Sequence, residues 1–124
     1  MSRPKSLKLS QCAAAIVTGA GSGIGRSFAL ELARRGGTVL CVDIQQERAA
    51  QTAAQVDELG GRGIAYTCDV GDEKQFAKLA SKADALLGRA TTVVVNNAGV
   101  GVGGRIGDVL SLIHISEPTR PLYI

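Results

Sequence analysis

The 124-residue sequence has a single histidine, His114, and three cysteines, Cys12, Cys41 and Cys68. The cysteines are widely spaced, with no C-x-x-C pair, so a zinc site of the usual four-ligand kind has too few donors, and no metal is expected. Lying in or beside apolar stretches, all three are expected to be reduced, buried packing thiols. No apolar run approaches the roughly twenty residues that a membrane span requires. No charged leader followed by an apolar core and a cleavage site opens the chain, so the expectation is a cytoplasmic protein with no membrane partner. Charge of one sign is not concentrated: 14 basic against 11 acidic residues leave a net +3. Arg3, Lys5 and Lys8 are the only basic cluster and read as a solvated, frayed terminus, which argues against a nucleic-acid surface.

What the sequence does have is a steady alternation of short apolar runs and helical periodicities. Hydrophobic residues make up 45% and charged residues 20%, the balance of one globular domain. Ala13 to Thr18 reads as a strand, followed by a glycine-rich turn and a helix from Ile24 to Arg35 with Phe28, Leu32 and Ala33 at helical spacing. Gly36-Gly37 stops that helix, and Thr38 to Asp43 is a second strand ending in an acid. Gln45 to Leu59 reads as a helix stopped by Gly60-Gly61, and Gly63 to Thr67 as a third strand. Asp72 is positioned to cap a helix carrying Phe76, Leu79, Ala80 and Ala83, which ends at Gly88 before a fourth strand, Thr92 to Asn96. Strands of this near-continuous apolar kind, alternating with helices, predict an α/β fold with a parallel sheet covered on both faces.

The strongest local signal is Thr18-Gly19-Ala20-Gly21-Ser22-Gly23-Ile24-Gly25, between the first strand and the first helix. Glycines there let the backbone approach a pyrophosphate closely, and the positive end of the following helix favours its charge. The pattern is G-x-x-x-G-x-G: Ile24 occupies the place of the third glycine of G-x-G-x-x-G. Asp43, at the tip of the second strand, can accept both hydrogen bonds of an adenosine ribose, or cap the helix that follows, or do both.

Thr18 to Gly25 resembles the T-G-x-x-x-G-I-G signature of the short-chain dehydrogenases/reductases, and Asn96-Asn97-Ala98-Gly99 resembles that family's N-N-A-G element. The resemblance spans residues from about 12 to about 109. It implies a Rossmann-like, doubly wound parallel sheet of strand order 3-2-1-4, here truncated after the fourth strand. It also implies an NAD(P)-dependent oxidoreductase interconverting small-molecule alcohols and carbonyls by hydride transfer, with a homodimeric or homotetrameric parent. The implied cofactor-binding residues are Gly19, Ser22, Gly23, Ile24 and Gly25 at the pyrophosphate and Asp43 and Ile44 at the adenosine ribose. Asp69 and Val70 would lie at the adenine. Asn96, Asn97, Ala98 and Gly99 would either brace the sheet or line the nicotinamide ribose. Ser22 and Ile44 stand where NADP-preferring relatives often carry a basic residue, so NAD is expected over NADP.

The catalytic residues of such a family, a serine and a Tyr-x-x-x-Lys pair, have no counterpart here. Four residues after Tyr66 stands Val70, and the chain ends one residue beyond Tyr123. Tyr66 reads as a packing residue. Leu110 to Arg120 resembles the translation of a transposase-type sequencing adaptor. Residues 110–124 are accordingly read as foreign to the gene, with 1–109 a partial dinucleotide-binding domain, and His114 is given no role. With the sheet cut there, Val93-Val94-Val95 is expected to be a bare, aggregation-prone edge. The alternatives to half of an enzyme are a non-catalytic dinucleotide-binding module and a truncated reading frame without independent function.

Overall fold

The computed structural model describes residues 11–97 and the short strand 122–123. The elements run β1 (Ala14–Thr18), α1 (Gly23–Arg34), β2 (Thr38–Asp43), α2 (Gln46–Glu58), β3 (Arg62–Thr67), α3 (Glu73–Leu87), β4 (Val93–Asn96) and β5 (Leu122–Tyr123). The strands form one parallel sheet in the order β3-β2-β1-β4-β5. Among the described residues no helix is long and apolar enough to cross a membrane.

Side chains leave a strand alternately toward opposite faces, and the two faces of this sheet carry separate cores. Ala14 and Ile16 of β1 face α3, whose Phe76, Leu79 and Ala83 cover them. Ala15 and Val17 face the other way, onto Ala29, Leu32 and Ala33 of α1, with Ala53 and Val56 of α2 packed on the same side. All five residues of β1 are buried, which is why its sequence shows no polar alternation. Ile16, Leu40 and Leu79 are among the largest fully buried side chains, each stabilising the fold by roughly 1.5–3 kcal/mol. Small residues set the spacing of the layers: a Cβ on Gly63 would collide with the backbone of Ala53, so α2 lies close against β3.

Local chemistry fixes the ends of α3 as the sequence predicts. The Asp72 carboxylate accepts from the backbone N–H of Lys74 at 2.9 Å and of Gln75 at 3.4 Å, and these bonds hold its pKa below the usual carboxylate value. Gly88 closes the helix at φ +81°, the left-handed conformation that glycine adopts freely.

Two expectations are corrected. β4 is not a bare edge: Val93 pairs with Leu122 and Val94 with Tyr123, in parallel register. An open ladder of backbone donors and acceptors is completed by whichever extended segment of the chain can reach it, and 122–123, in the stretch read as foreign, does so. Cys12 is exposed rather than buried. It precedes β1 in a turn, at φ +51°, outside the apolar run that buries its neighbours.

Cys41 and Cys68 are buried, and burial pushes their thiols up to about 12 and about 11. Only the thiolate is nucleophilic, and a pKa of about 11 in place of the ordinary 9.0 lowers its population at pH 8 about a hundredfold. Mass-spectrometric peptide mapping after a brief iodoacetamide pulse should find Cys12 alkylated, and Cys41 and Cys68 modified only after unfolding. The same shifts carry a sign for stability. The folded state favours the neutral thiols, so their contribution is complete below pH 9 and is lost as pH rises through 11 to 12.

Candidate functional site: the carboxyl end of the sheet

In a parallel sheet the carboxyl ends of the strands share one rim. Register places Thr18 of β1 beside Val42 and Asn96, and Asp43 beside Thr67, so the expected site residues meet at that rim. This is the edge where open α/β sheets hold their ligands.

The loop from Gly19 to Ser22 leaves β1 and turns into α1. Gly19 and Gly23 take positive φ, +63° and +55°, which admits the tight turn. Gly25 serves a different need: a Cβ there would enter the Gly19 carbonyl, so α1 can begin this close to the loop only with glycine. The loop is tied to β2 by Ala20 N–H donating to the Val42 carbonyl at 3.0 Å and Gly21 N–H donating to Asp43 Oδ2 at 2.9 Å. Asp43 Oδ1 accepts from Gln45 N–H at 2.9 Å, so this carboxylate both anchors the loop and orders the approach to α2.

The amino end of α1 is open. Ser22 occupies the cap position without a side-chain cap hydrogen bond, and no acidic residue lies in the first turn. Among the described residues, no acceptor meets the N–H groups of Ser22, Gly23, Ile24 and Gly25. By contrast α2 and α3 begin with Glu47 and Glu73 in their first turns. An α-helix leaves its first N–H groups unpaired and concentrates positive potential there, so this end can bind an anion.

Ile24 and Ile44 are the most exposed large apolar residues described, at 66% and 63%. They stand at the start of α1 and just past Asp43. Asp69 is exposed at the end of β3, where its Oδ1 accepts from Gly71 N–H and its own N–H donates to Gln75 Oε1. Val70 turns its side chain into the core beside Phe76, so only its backbone faces the rim. Asn96 Oδ1 accepts from the buried Thr18 hydroxyl at 2.8 Å, and Asn97 Nδ2 donates to the Gly19 carbonyl at 3.4 Å. Asn96 thus ties the end of β1 to β4, and Asn97 ties the start of the glycine loop to the segment after β4. Ala98 and Gly99 lie outside the described residues.

The sequence reading missed three residues at this rim. Arg26 and Thr52 bond to the carbonyls of the loop, at 2.8 Å to Gly21 and 2.9 Å to Ala20. Arg48, on the exposed face of α2, has its Cβ 2.5 Å from where a Gly21 Cβ would lie, beside Asp43. Arg26 in the first turn of α1 could have raised the question, since a cation there opposes the helix dipole. Among the described residues no cluster of His, Cys, Asp and Glu could hold a metal ion.

Residues 13–112 match the family model described as short chain dehydrogenase. The chain belongs to the short-chain dehydrogenase family. Among curated relatives of this short-chain dehydrogenase chain, 7alpha-hydroxysteroid dehydrogenase of Escherichia coli strain K12 is 39% identical over 87 residues, covering 70% of this chain and 34% of the relative. "Probable oxidoreductase EphD" of Mycobacterium tuberculosis is 42% identical over 92 residues, 74% of this chain and 15% of that protein. The chain therefore spans about a third or less of the length of these relatives. A solved structure of a 7α-hydroxysteroid dehydrogenase complexed with NADH and 7-oxo glycochenodeoxycholic acid superposes with a TM-score of 0.66 at 32% identity. That superposition covers 77% of this chain and 37% of the other. A hydroxysteroid dehydrogenase from Escherichia coli superposes with a TM-score of 0.67 at 30% identity, over 89% of this chain and 48% of that one. The Rossmann-like α/β fold is thereby shared with solved members of the family.

Proposed function

We propose that this chain is the cofactor-binding half of an NAD-dependent short-chain dehydrogenase, holding the adenosine and pyrophosphate of the dinucleotide at the carboxyl rim of its sheet. The observation that carries the reading is the open amino end of α1: N–H groups at Ser22 to Gly25 that meet no acceptor among the described residues, beside a loop in which Gly21 and Gly25 have no room for a Cβ. The donor set suits a pyrophosphate, which carries negative charge and accepts hydrogen bonds but offers none. Asp43 fits a ribose diol, because a carboxylate accepts two hydroxyl hydrogen bonds, and its charge opposes a 2′-phosphate. Ile24 and Ile44 would lie against the faces of the bound group, and Asp69 with the Val70 backbone would close the adenine side.

When bound, the nicotinamide supplies hydride transfer between an alcohol and a carbonyl. The residues of this chain bind and orient it: Asn96 and Asn97 fix the loop, and α1 neutralises the phosphates. Proton transfer of the Tyr-x-x-x-Lys type has no residues in this sequence. We place the whole protein in the cytoplasm as a homodimer or homotetramer acting on a small-molecule alcohol or carbonyl.

A thermal-shift titration tests the binding claim. Ligand at a hundred times its Kd stabilises the folded state by about 2.7 kcal/mol, which moves the midpoint of a domain of this size by roughly ten degrees or more. NAD and ADP-ribose should raise the midpoint, and NADP should do so only at higher concentration. A cooperative transition that none of them moves would refute the reading.

A further inference from the structure

The glycine loop presents a problem that its own sequence does not solve. A backbone that cradles a phosphate must aim its N–H groups at the anion and keep its carbonyl oxygens away, yet a run of glycines has little intrinsic preference between peptide orientations. In this structure two side chains from different helices settle the matter. Thr52 Oγ1 donates to the Ala20 carbonyl at 2.9 Å, and Arg26 Nη2 donates to the Gly21 carbonyl at 2.8 Å. Arg26 Nε donates in turn to Thr52 Oγ1 at 3.3 Å, which joins the two into one network. The N–H of the Ala20–Gly21 peptide is held from the other side by Asp43, and that of the preceding Gly19–Ala20 peptide by the Val42 carbonyl.

Both residues stand against local preference, which argues that the contact rather than the helix selects them. Thr52 is fully buried in an alanine-rich stretch of its helix, with Ala49, Ala50, Ala53 and Ala54 close by in sequence. A β-branched residue lowers helix propensity there, and a buried helical threonine commonly turns its hydroxyl back to the preceding turn. Here the hydroxyl crosses to the loop instead. Arg26 places a cation in the first turn of α1, where the dipole disfavours it and where no acid offsets it.

We propose that Arg26 and Thr52 are positioning residues that lock the Ala20 and Gly21 carbonyls away from the ligand and so aim the amides of Ser22 to Gly25 at a pyrophosphate. This rests on the dinucleotide-binding reading. It extends that reading to a division of labour: α2, which follows the ribose-binding Asp43, also sets the phosphate loop through Thr52. Loss of the clamp therefore weakens ligands that carry the pyrophosphate and spares those that lack it.

The test uses the 124-residue chain with Thr52→Val, Thr52→Ala, Thr52→Ser and Arg26→Met, titrated with ADP-ribose and with adenosine. Val keeps the shape of threonine without its hydroxyl, Ala suits the helix should Val impair folding, and Ser restores the hydroxyl. Thr52→Val, Thr52→Ala and Arg26→Met should weaken ADP-ribose about ten- to a hundredfold, the scale of one hydrogen bond at a charged site. Adenosine should change less than about twofold, and Thr52→Ser should bind ADP-ribose within about threefold of the parent. Equal weakening of both ligands, or no weakening of ADP-ribose, would overturn the proposal. A second readout needs no ligand: hydrogen exchange at the bonded amides of Ala20 and Gly21 should quicken in Thr52→Val and not in Thr52→Ser. If the parent chain binds neither ligand, the dinucleotide reading fails on its own, and the exchange rates still decide whether the clamp holds the loop.

Discussion

Replacing Gly25 with alanine should abolish measurable binding of NAD and lower the stability of the chain together. The new Cβ would be driven into the Gly19 carbonyl and to 2.9 Å from Asn97 Nδ2. Neither obstacle is the loose end of a side chain, because Gly19 is backbone and Asn97 is itself bonded to the Gly19 carbonyl. Relief therefore requires α1 to back away from the loop, which displaces the amides of Ser22 to Gly25. Overpacking of this kind costs typically 1–3 kcal/mol. A misplaced anion site adds a loss in affinity of about a hundredfold or more, equivalent to ~2.7 kcal/mol. Gly23 provides the control. It has open space where its Cβ would go, but φ is +55°, so Gly23→Ala carries backbone strain of roughly 1–2 kcal/mol without a collision. Calorimetric titration beside thermal melts should rank Gly25→Ala well below Gly23→Ala in affinity. Equal affinities would show that close approach of helix and loop is not what the site depends on.

Changing Asp43 should shift the choice between NAD and NADP by about a hundredfold or more, and Asn and Ala should do so differently. Asp43 has two structural tasks, accepting from Gly21 N–H and from Gln45 N–H, beside the ribose contact we propose for it. Asn keeps an oxygen that can accept from Gly21 N–H while removing the charge. Asp43→Asn should therefore leave the loop in place, weaken NAD by roughly the 1.5–3 kcal/mol of a hydrogen bond to a charged group, and relieve the repulsion of a 2′-phosphate. Arg48, whose Cβ lies near Gly21, is a cation on the same side that a 2′-phosphate would meet if its side chain reaches the ribose. Asp43→Ala removes both tasks and should weaken both dinucleotides. Comparing Kd for NAD and NADP across the variants checks this: an unchanged ratio in Asp43→Asn would remove Asp43 from cofactor selection.

The strands and helices were legible because each is bounded by a strong local signal. Gly36-Gly37, Gly60-Gly61 and Gly88 end helices where the chain must turn, and Asp72 caps α3 as its side-chain chemistry dictates. The turn over Gly19 to Gly25 and the place of Asp43 at a strand tip were legible for the same reason, their roles at a ligand being our proposal. Arg26, Arg48 and Thr52 were not, since their role exists only once α2 is folded against the loop and no spacing along the chain marks it. The side chain of Val70, just past β3, belongs to the core, a placement that its position beside Asp69 does not reveal. Cys12 was expected inside because its neighbours are apolar, but burial follows the turn at φ +51° rather than composition. β5 was invisible for a different reason: two residues in a stretch read as foreign carry no periodicity, and only their pairing with Val93 and Val94 reveals them.

The most direct test of the central claim is amide NMR of the isotopically labelled chain titrated with ADP-ribose. Saturable shifts should concentrate at Gly21 to Gly25, Asp43 and Ile44, with a smaller response at Asp69 and Val70 and none along the α3 face. A folded chain whose Ser22 to Gly25 amides do not respond to saturating ADP-ribose would contradict the account.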